Sequence, residues 1–276
     1  MTDRLRPAPM GVKQRLLPLL LVCAFWAGCL AEVALVPVVQ GMAPPRYGGL
    51  ATGVTATTAF LLLSVLFARG SLPRLGTLGI LPDRFSVARM FAGCLLGTLL
   101  LGIYFAVSAG IADVGWSRNS AVGPAAVALG FVAAIAGAAA EELAFRGYPM
   151  RRLMEAYGLW AAQLVIAVAF ILYHIVLAGW PVVPAIIGTG LGSLLFGMAA
   201  VVSRGLALPI GLHAVWNFGM WAGGTRELPA PWEIARIDQA SAELANWTAF
   251  PVAAGVGIGL LVTLYYRGRR RARPGL

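Results

Sequence analysis

The chain of 276 residues is 59% hydrophobic and only 12% charged, and its mean hydropathy is +0.81. Soluble globular domains carry roughly 25% charged residues, so this chain has too little polar surface for a water-soluble fold. The same composition excludes a disordered chain, a collagen-like fibre and a disulfide-stapled secreted scaffold. It therefore predicts an all-α, polytopic membrane protein.

The net charge of +10 does not indicate a nucleic-acid partner. The basic residues form short clusters between apolar stretches rather than a basic domain, as is typical of membrane proteins. Three cysteines, Cys23, Cys29 and Cys94, lie inside apolar runs without CxxC spacing. They are interpreted as small core residues, and a cysteine zinc site is excluded.

Eight segments are apolar for about the 20 residues that a helix needs to cross the hydrocarbon core. We treat residues 1–276 as a single membrane domain built on these segments. The predicted segments are 17–39, 49–68, 88–112, 122–145, 159–179, 182–202, 206–223 and 249–266.

The distribution of basic residues predicts the orientation. With the N-terminus in the cytosol, seventeen of the 21 basic residues fall in the inner segments. The other four, Arg46, Arg118, Arg226 and Arg236, fall in the outer loops. The positive-inside rule therefore favours eight spans with both termini cytoplasmic. Because 20 of the basic residues are Arg, we expect a GC-rich genome and a bacterial plasma membrane.

Residues 147–157 form a different kind of element. Apolar residues recur there at helical spacing: Met150, Leu153, Met154 and Tyr157. The other face carries Arg151, Arg152 and Glu155. This pattern predicts a short helix that lies in the inner interface of the membrane.

Few ionisable groups fall inside the predicted spans, where each costs about 2.5–3.5 kcal/mol at the membrane centre and usually serves a function. Besides Glu32 in the first segment, these polar residues lie in the fourth, fifth and seventh segments. They are Glu141, Glu142, His174, His213 and the amide residue Asn217.

The fourth segment ends in Glu141-Glu142-Leu-Ala-Phe-Arg146. On a helix, Glu142 and Arg146 face each other, whereas Glu141 points about 100° away. Two neighbouring carboxylates in a low dielectric titrate as a coupled pair, and one of them could act as a general base on water. An ion pair that caps a helix at the membrane edge explains the string equally well.

Two further motifs place an aromatic residue before a histidine and an amide after one. Phe170 precedes His174 by one helical turn, and Asn217 follows His213 by one turn. Each motif alone is ambiguous, because a buried histidine or asparagine often only joins two helices. Together, however, the polar groups come from three helices, as an assembled cavity requires. They could bind a divalent metal with an open water position, or activate water without one.

At these residues the chain resembles the CPBP family, the intramembrane CAAX-processing and bacteriocin-processing proteases, also described as type II CAAX endopeptidase-like proteins. The family pattern has three motifs, EExxxR, FxxxH and HxxxN, on successive core helices. All three are present in order, and the resemblance covers about 130–225, which would be the catalytic core.

The resemblance implies a membrane-embedded endopeptidase whose partners are membrane lipids and a protein or peptide substrate. Eukaryotic members release the last three residues of prenylated CAAX proteins, and many bacterial members are linked to bacteriocin maturation or self-immunity. Either Glu142 or Glu141 would activate the water with support from the other, and Arg146 would orient both carboxylates. Whether the substrate is prenylated stays open.

The resemblance also implies roles for the other three residues. His174 and His213 would stabilise the oxyanion or ligate a metal, and Asn217 would polarise the scissile carbonyl. The family's mechanism has been argued both as a metalloprotease and as a metal-free glutamate protease. The cofactor therefore stays open between a divalent metal such as zinc, held by Glu142, His174 and His213, and none.

Helix geometry opposes an easy fit. At 1.5 Å per residue, Glu142 lies close to the inner face, His213 roughly 10 Å in and His174 roughly 22 Å in. We predict that the fifth segment tilts or begins in the interface, so that His174 and Glu142 approach within one catalytic cavity open to the cytosol.

Two other functions compete with proteolysis. A catalytically idle scaffold or bacteriocin-immunity protein could keep the same cavity for binding. A proton-coupled transporter could use the two glutamates and His174 as a relay, although no inverted repeat is apparent in the sequence.

Overall fold

The computed structural model describes residues 12–68, 75–76, 79–225, 229–236 and 238–271. The remaining residues lie outside this description. They include parts of the basic segments used for the orientation, among them Arg226 and the last five residues.

The described residues form ten helices, a short 3₁₀ helix at Pro45–Tyr47 and one two-stranded ribbon. The helices are α1 Val12–Val33, α2 Val36–Met42, α3 Gly48–Phe67, α4 Ser86–Ile111, α5 Pro124–Arg146, α6 Tyr148–Tyr157, α7 Leu159–Val176, α8 Val182–Ser203, α9 Ala207–Ala222 and α10 Gln239–Arg271. Strand β1, Gly115–Arg118, pairs antiparallel with β2, Trp232–Arg236. The protein is an all-α polytopic membrane protein.

Seven helical stretches in the described part of the chain are long and apolar enough to cross a membrane. Their lipid-facing character is visible in α3 and α4, where Leu62, Leu66 and Phe91 are 64%, 68% and 71% exposed. The eighth predicted segment, 206–223, forms α9, which has 16 residues and is about 24 Å long. The predicted count of eight is therefore met by helices, but one of them is shorter than an ordinary span.

The short α9 nevertheless joins the same two sides of the bundle as α4. Before α4, a Cβ added at Gly79 would lie 2.5 Å from the carbonyl oxygen of Arg204, just before α9. After the two helices, β1 and β2 pair with each other. The two helices therefore run parallel, which agrees with the alternation predicted for eight segments.

Glycines allow α4 and α9 to pack backbone against backbone. A Cβ added at Gly97 would lie 2.9 Å from the carbonyl oxygen of Leu212, and one at Gly211 would overlap the carbonyl oxygen of Met90. Between α3 and α5, Gly53 likewise packs on Ala136. Small residues at helix interfaces are how membrane helices approach closely without a hydrophobic driving force.

The ends of the first and last predicted segments differ from the structure. The first segment is broken after α1, and α2 starts with Pro37 in its first turn, where the missing N–H costs no helical hydrogen bond. The last helix, α10, begins at Gln239 rather than at the predicted 249, because the polar residues there extend the helix beyond its apolar part.

The short helix predicted over 147–157 is α6, and its apolar face packs inward. Met150 and Leu153 are fully buried, whereas Glu155 is exposed. The ring of Tyr148 lies 5.5 Å from that of Phe25 on α1. The helix therefore extends the core beyond the C-terminal end of α5. Its location in the membrane interface stays a prediction.

Candidate active site

The three motifs lie on α5, α7 and α9, and the structure brings them to one level of the bundle. Glu141, Glu142 and Arg146 occupy the last two turns of α5. His174 lies near the end of α7, and His213 lies in the middle of α9. The motif residues of all three helices lie within 130–225, the region over which the resemblance was found.

Glu142 is the centre of a fully buried polar cluster. Its Oε1 atom lies 2.9 Å from His213 Nδ1 and 3.4 Å from Arg146 Nη1. Glu142 and Arg146 have no exposed side-chain surface, and His213 has 5%. A carboxylate that accepts hydrogen bonds from both a guanidinium and an imidazole forms charge-assisted bonds, and these bonds fix its orientation.

Arg146 links the polar cluster to two neighbouring helices, α7 and α8. Its Nη2 atom donates to the carbonyl oxygen of Ser193 on α8 at 3.2 Å, and its guanidinium lies 4.5 Å from the centre of the Phe170 ring. Phe196, also on α8, stacks on the His213 imidazole at 4.2 Å with 15° between the planes. Aromatic faces replace water around the cation, which explains how an arginine can be buried here.

Glu141 faces a different environment from Glu142. A quarter of its side chain is exposed, its Oε2 atom has no hydrogen-bond partner among the described residues, and this atom lies 3.7 Å from His213 Nε2. That gap is too long for a direct hydrogen bond. His213 thus lies between the two carboxylates.

His174 approaches the same cluster from α7. Its Nδ1 atom lies 2.9 Å from the carbonyl oxygen of Phe170, which can only accept, so Nδ1 carries the proton and Nε2 is left for other chemistry. The Phe170 ring connects it to the cluster, since this ring lies 4.5 Å from the His174 ring and 4.5 Å from the Arg146 guanidinium.

From the sequence, helix geometry puts Glu142 and His174 at different depths. The length of α6 explains how the two residues can nevertheless lie at one level. The Phe170 ring lies 4.8 Å from the Phe145 ring, so the eleven helical steps from Leu159 to Phe170 place the start of α7 about 16 Å beyond the end of α5. Since α6 covers this distance, Glu142 is not at the end of the helical core. The helix that carries His174 begins beside α6, beyond the end of α5, and whether that start lies in the membrane interface stays a prediction. An opening to the cytosol stays a prediction.

Asn217 lies one turn beyond His213 on α9 and is half-buried. This spacing puts its amide on the same helix face as the imidazole.

A cavity of about 820 Å³ lies beside the cluster, between α1, α2, α3, α5 and α7. Of the six predicted site residues, Glu141 alone belongs to its wall, together with Tyr173 from α7 and Glu32 from α1. Glu141 therefore separates the cavity from His213. We refer to this space as the lateral cavity.

Sequence reasoning did not find the contributions of α1 and α8. Glu32 stood out as an intramembrane carboxylate, but nothing in the sequence showed that it faces the helix with Glu141. Ser193 and Phe196 give no signal at all, because serine and phenylalanine are ordinary residues in an apolar helix.

The candidate metal ligands do not assemble into a metal site. Within the described ranges, no three His, Cys, Asp or Glu side chains are grouped closely enough to hold an ion. Glu142 and His213 bond each other, and Glu142 also binds Arg146, a cation that competes with any metal. The residues present therefore do not fit the catalytic three-ligand arrangement of zinc enzymes.

Comparison with known proteins adds one match. Residues 123–219 match the family model described as type II CAAX prenyl endopeptidase Rce1-like. The matched residues run from the start of α5 to α9 and include all six candidate site residues. No match was found among curated proteins.

Proposed function

We propose that this chain, whose residues 123–219 match the Rce1-like family of type II CAAX prenyl endopeptidases, is an intramembrane endopeptidase that hydrolyses a peptide bond of a membrane-associated protein or peptide. The observation that carries this proposal is the position of Glu141. Its carboxylate borders the lateral cavity on one side and the His213 imidazole on the other. A peptide in the cavity and a water molecule beside His213 could therefore meet at this carboxylate.

Glu141 is the better candidate for the general base. Its side chain is partly exposed, whereas Glu142 is fully buried with its Oε1 atom bonded to Arg146 and His213; the Oε2 atom of each glutamate has no hydrogen-bond partner among the described residues. A general base must reach the proton that it abstracts. Glu142 and Arg146 would then act as positioning residues that hold His213 in place.

The hydrolysis would proceed by ordinary carboxylate chemistry. Glu141 would take a proton from water while the water oxygen bonds to the carbonyl carbon of the scissile peptide. The carbon–nitrogen bond would then break as Glu141 returns this proton to the departing nitrogen. The products are a carboxylic acid and an amine, and the glutamate is regenerated.

Two residues are suited to the developing oxyanion. Asn217 offers a neutral amide donor one turn from His213, and His174 would donate from Nε2 when that atom is protonated. Donors aimed at the oxyanion are often the largest single contribution to acyl-transfer catalysis. We assign both residues to the carbonyl oxygen, opposite the base.

A panel of quenched peptides, prenylated and unprenylated, tests the proposal in proteoliposomes. The wild type is compared with Glu141→Gln and with Glu155→Gln, which changes a carboxylate on the exposed face of α6. We expect Glu141→Gln to lower kcat by about 10²–10⁴-fold, with the fold intact, and Glu155→Gln to cleave as the wild type does.

Cleavage that persists in Glu141→Gln would overturn the assignment of the base. If the wild type cleaves no peptide of the panel, an immunity or scaffold function would be favoured. Uptake driven by a pH gradient would favour a transporter. The panel also decides whether prenylation is required, since paired peptides differ only in the lipid.

A further inference from the structure

The lateral cavity has an apolar wall with an acidic interior. Its lining is mostly aliphatic, aromatic and glycine residues from five helices. The charged residues of the wall, as far as the chain is described, are Glu32 and Glu141. Among the described residues, no Lys, Arg or His side chain lines it. Any occupant of the cavity therefore meets two carboxylates and no compensating cation.

The Glu32 carboxylate has no partner of its own in the described structure. The residue is 7% exposed, and its carboxylate forms no hydrogen bond or ion pair with any described group, whereas its backbone carbonyl accepts from Leu35 N. Cys29, one turn earlier on α1, also lines the cavity. An isolated carboxylate in a low-dielectric site is costly, and a bound cation would offset that cost.

The two carboxylates lie at similar depths. Trp26 Nε1 donates to the carbonyl oxygen of Ala144 at 2.9 Å, which aligns α1 with α5. From this contact the helix rise puts Glu32 about 9 Å and Glu141 about 4.5 Å along the bundle in the same direction. Tyr173 lines the same cavity as both carboxylates.

We propose that Glu32 is a specificity-determining residue that binds a cationic group of the substrate, the side chain of a Lys or Arg close to the scissile bond. The inference rests on the proposed endopeptidase function and names its substrate class. The axial offset between Glu32 and Glu141 is about 5 Å, and an extended peptide advances about 3.3 Å per residue. Because this offset is only the component along the helix axes, the test covers three positions on either side of the bond that Glu141 hydrolyses.

The first test is a peptide series in which Lys, Gln or Glu occupies each of the three positions on either side of the scissile bond. Removing one partner of a buried ion pair costs enough to lower affinity by about 30-fold or more. We expect Glu32→Gln to raise KM for the preferred Lys peptide by that factor, with kcat and the Gln peptides little changed. Glu155→Gln is the control for loss of a carboxylate elsewhere.

A charge exchange provides a second arm of the same test. Glu32→Lys is expected to reverse the preference, so that Glu replaces Lys as the favoured residue of the peptide. If this variant does not fold, the KM shift in Glu32→Gln decides alone. Cleavage by the wild type without any charge preference would overturn the role of Glu32 and leave the protease function standing.

Cys29 supplies a readout that needs no cleavage at all. With Cys23 and Cys94 replaced by Ser, its rate of modification is measured with cationic and neutral methanethiosulfonate reagents of similar size. An acidic cavity concentrates the cation, so we expect the ratio of the two rates to fall roughly 10-fold in Glu32→Gln.

The two readouts separate the two claims. A ratio that does not change in Glu32→Gln would overturn the cation site, whatever the peptides show. A ratio that falls, in a protein that cleaves no peptide, would support the cation site and count against the endopeptidase function.

Discussion

His213 Nδ1 lies 2.9 Å from Glu142 Oε1, and this contact joins α9 to α5 in the middle of the bundle. The adjacent Glu141 makes no such bond at Oε2 and borders the lateral cavity. Two neighbouring glutamates on one helix thus have different environments. One is suited to holding the site together and the other to reacting.

The first prediction separates the two glutamates by stability. Glu142→Gln weakens charge-assisted bonds to Arg146 and His213, and we expect a loss of about 1.5–3 kcal/mol in the free energy of unfolding. Glu141→Gln should unfold at the wild-type temperature, because its side chain is partly exposed and less tightly bonded. Thermal unfolding in detergent measures both. Equal destabilisation by the two substitutions would contradict the assignment.

A second prediction concerns the buried arginine. Arg146→Met leaves Glu142 buried without its guanidinium and removes the bond to Ser193, so we expect a loss of about 3–5 kcal/mol. The matched control is Arg152→Met, whose ion pair with Glu155 at 3.3 Å is exposed. Exposed pairs contribute about 0–1 kcal/mol. Similar unfolding temperatures for the two variants would refute the structural role of Arg146.

The third prediction addresses the metal. Because the described residues offer no three-ligand group and Arg146 already binds Glu142, we expect peptide cleavage to be unchanged by chelators. Cleavage is measured after dialysis against a strong zinc chelator, with total metal determined on the same sample. Loss of activity that added zinc restores would show that the ligands rearrange around an ion.

A fourth prediction tests the contact between α4 and α9. Gly211→Ala adds a Cβ that overlaps the carbonyl oxygen of Met90, and overpacking of this kind costs about 1–3 kcal/mol. Gly102→Ala on α4 is the control, since nothing lies within 4 Å of its added Cβ. Unfolding temperatures of the two variants give the comparison. Because α9 carries His213 and Asn217, we also expect Gly211→Ala to reduce cleavage.

The fifth prediction concerns topology. Single cysteines at Ser117 in β1 and Glu233 in β2, in a background without native cysteines, should react with a membrane-impermeant reagent from one side of sealed vesicles. A cysteine at Arg204, next to Gly79, should react from the other side. Labelling of all three from one side would mean that α9 does not cross the membrane.

The transmembrane segments could be predicted from the sequence because hydropathy is a local property. Segments 49–68 and 88–112 became α3 and α4 with ends within two residues. The polar motifs were also recognisable, since ionisable residues are rare inside apolar helices. The start of α10 could not be found in this way, because hydropathy marks the apolar part of a helix and not its polar extension.

The roles within the site depended on contacts between distant parts of the chain. Helix geometry alone puts Glu141 and Glu142 about 100° apart, but the surroundings of each side depend on α1, α8 and α9. The axial position of Glu32 relative to Glu141 likewise depends on the Trp26 contact with α5. The sequence by itself determined which helices form and which of their residues are polar, because both follow from local composition. Only the tertiary structure decided which carboxylate is buried and which faces the cavity, because burial depends on the neighbours that packing brings together.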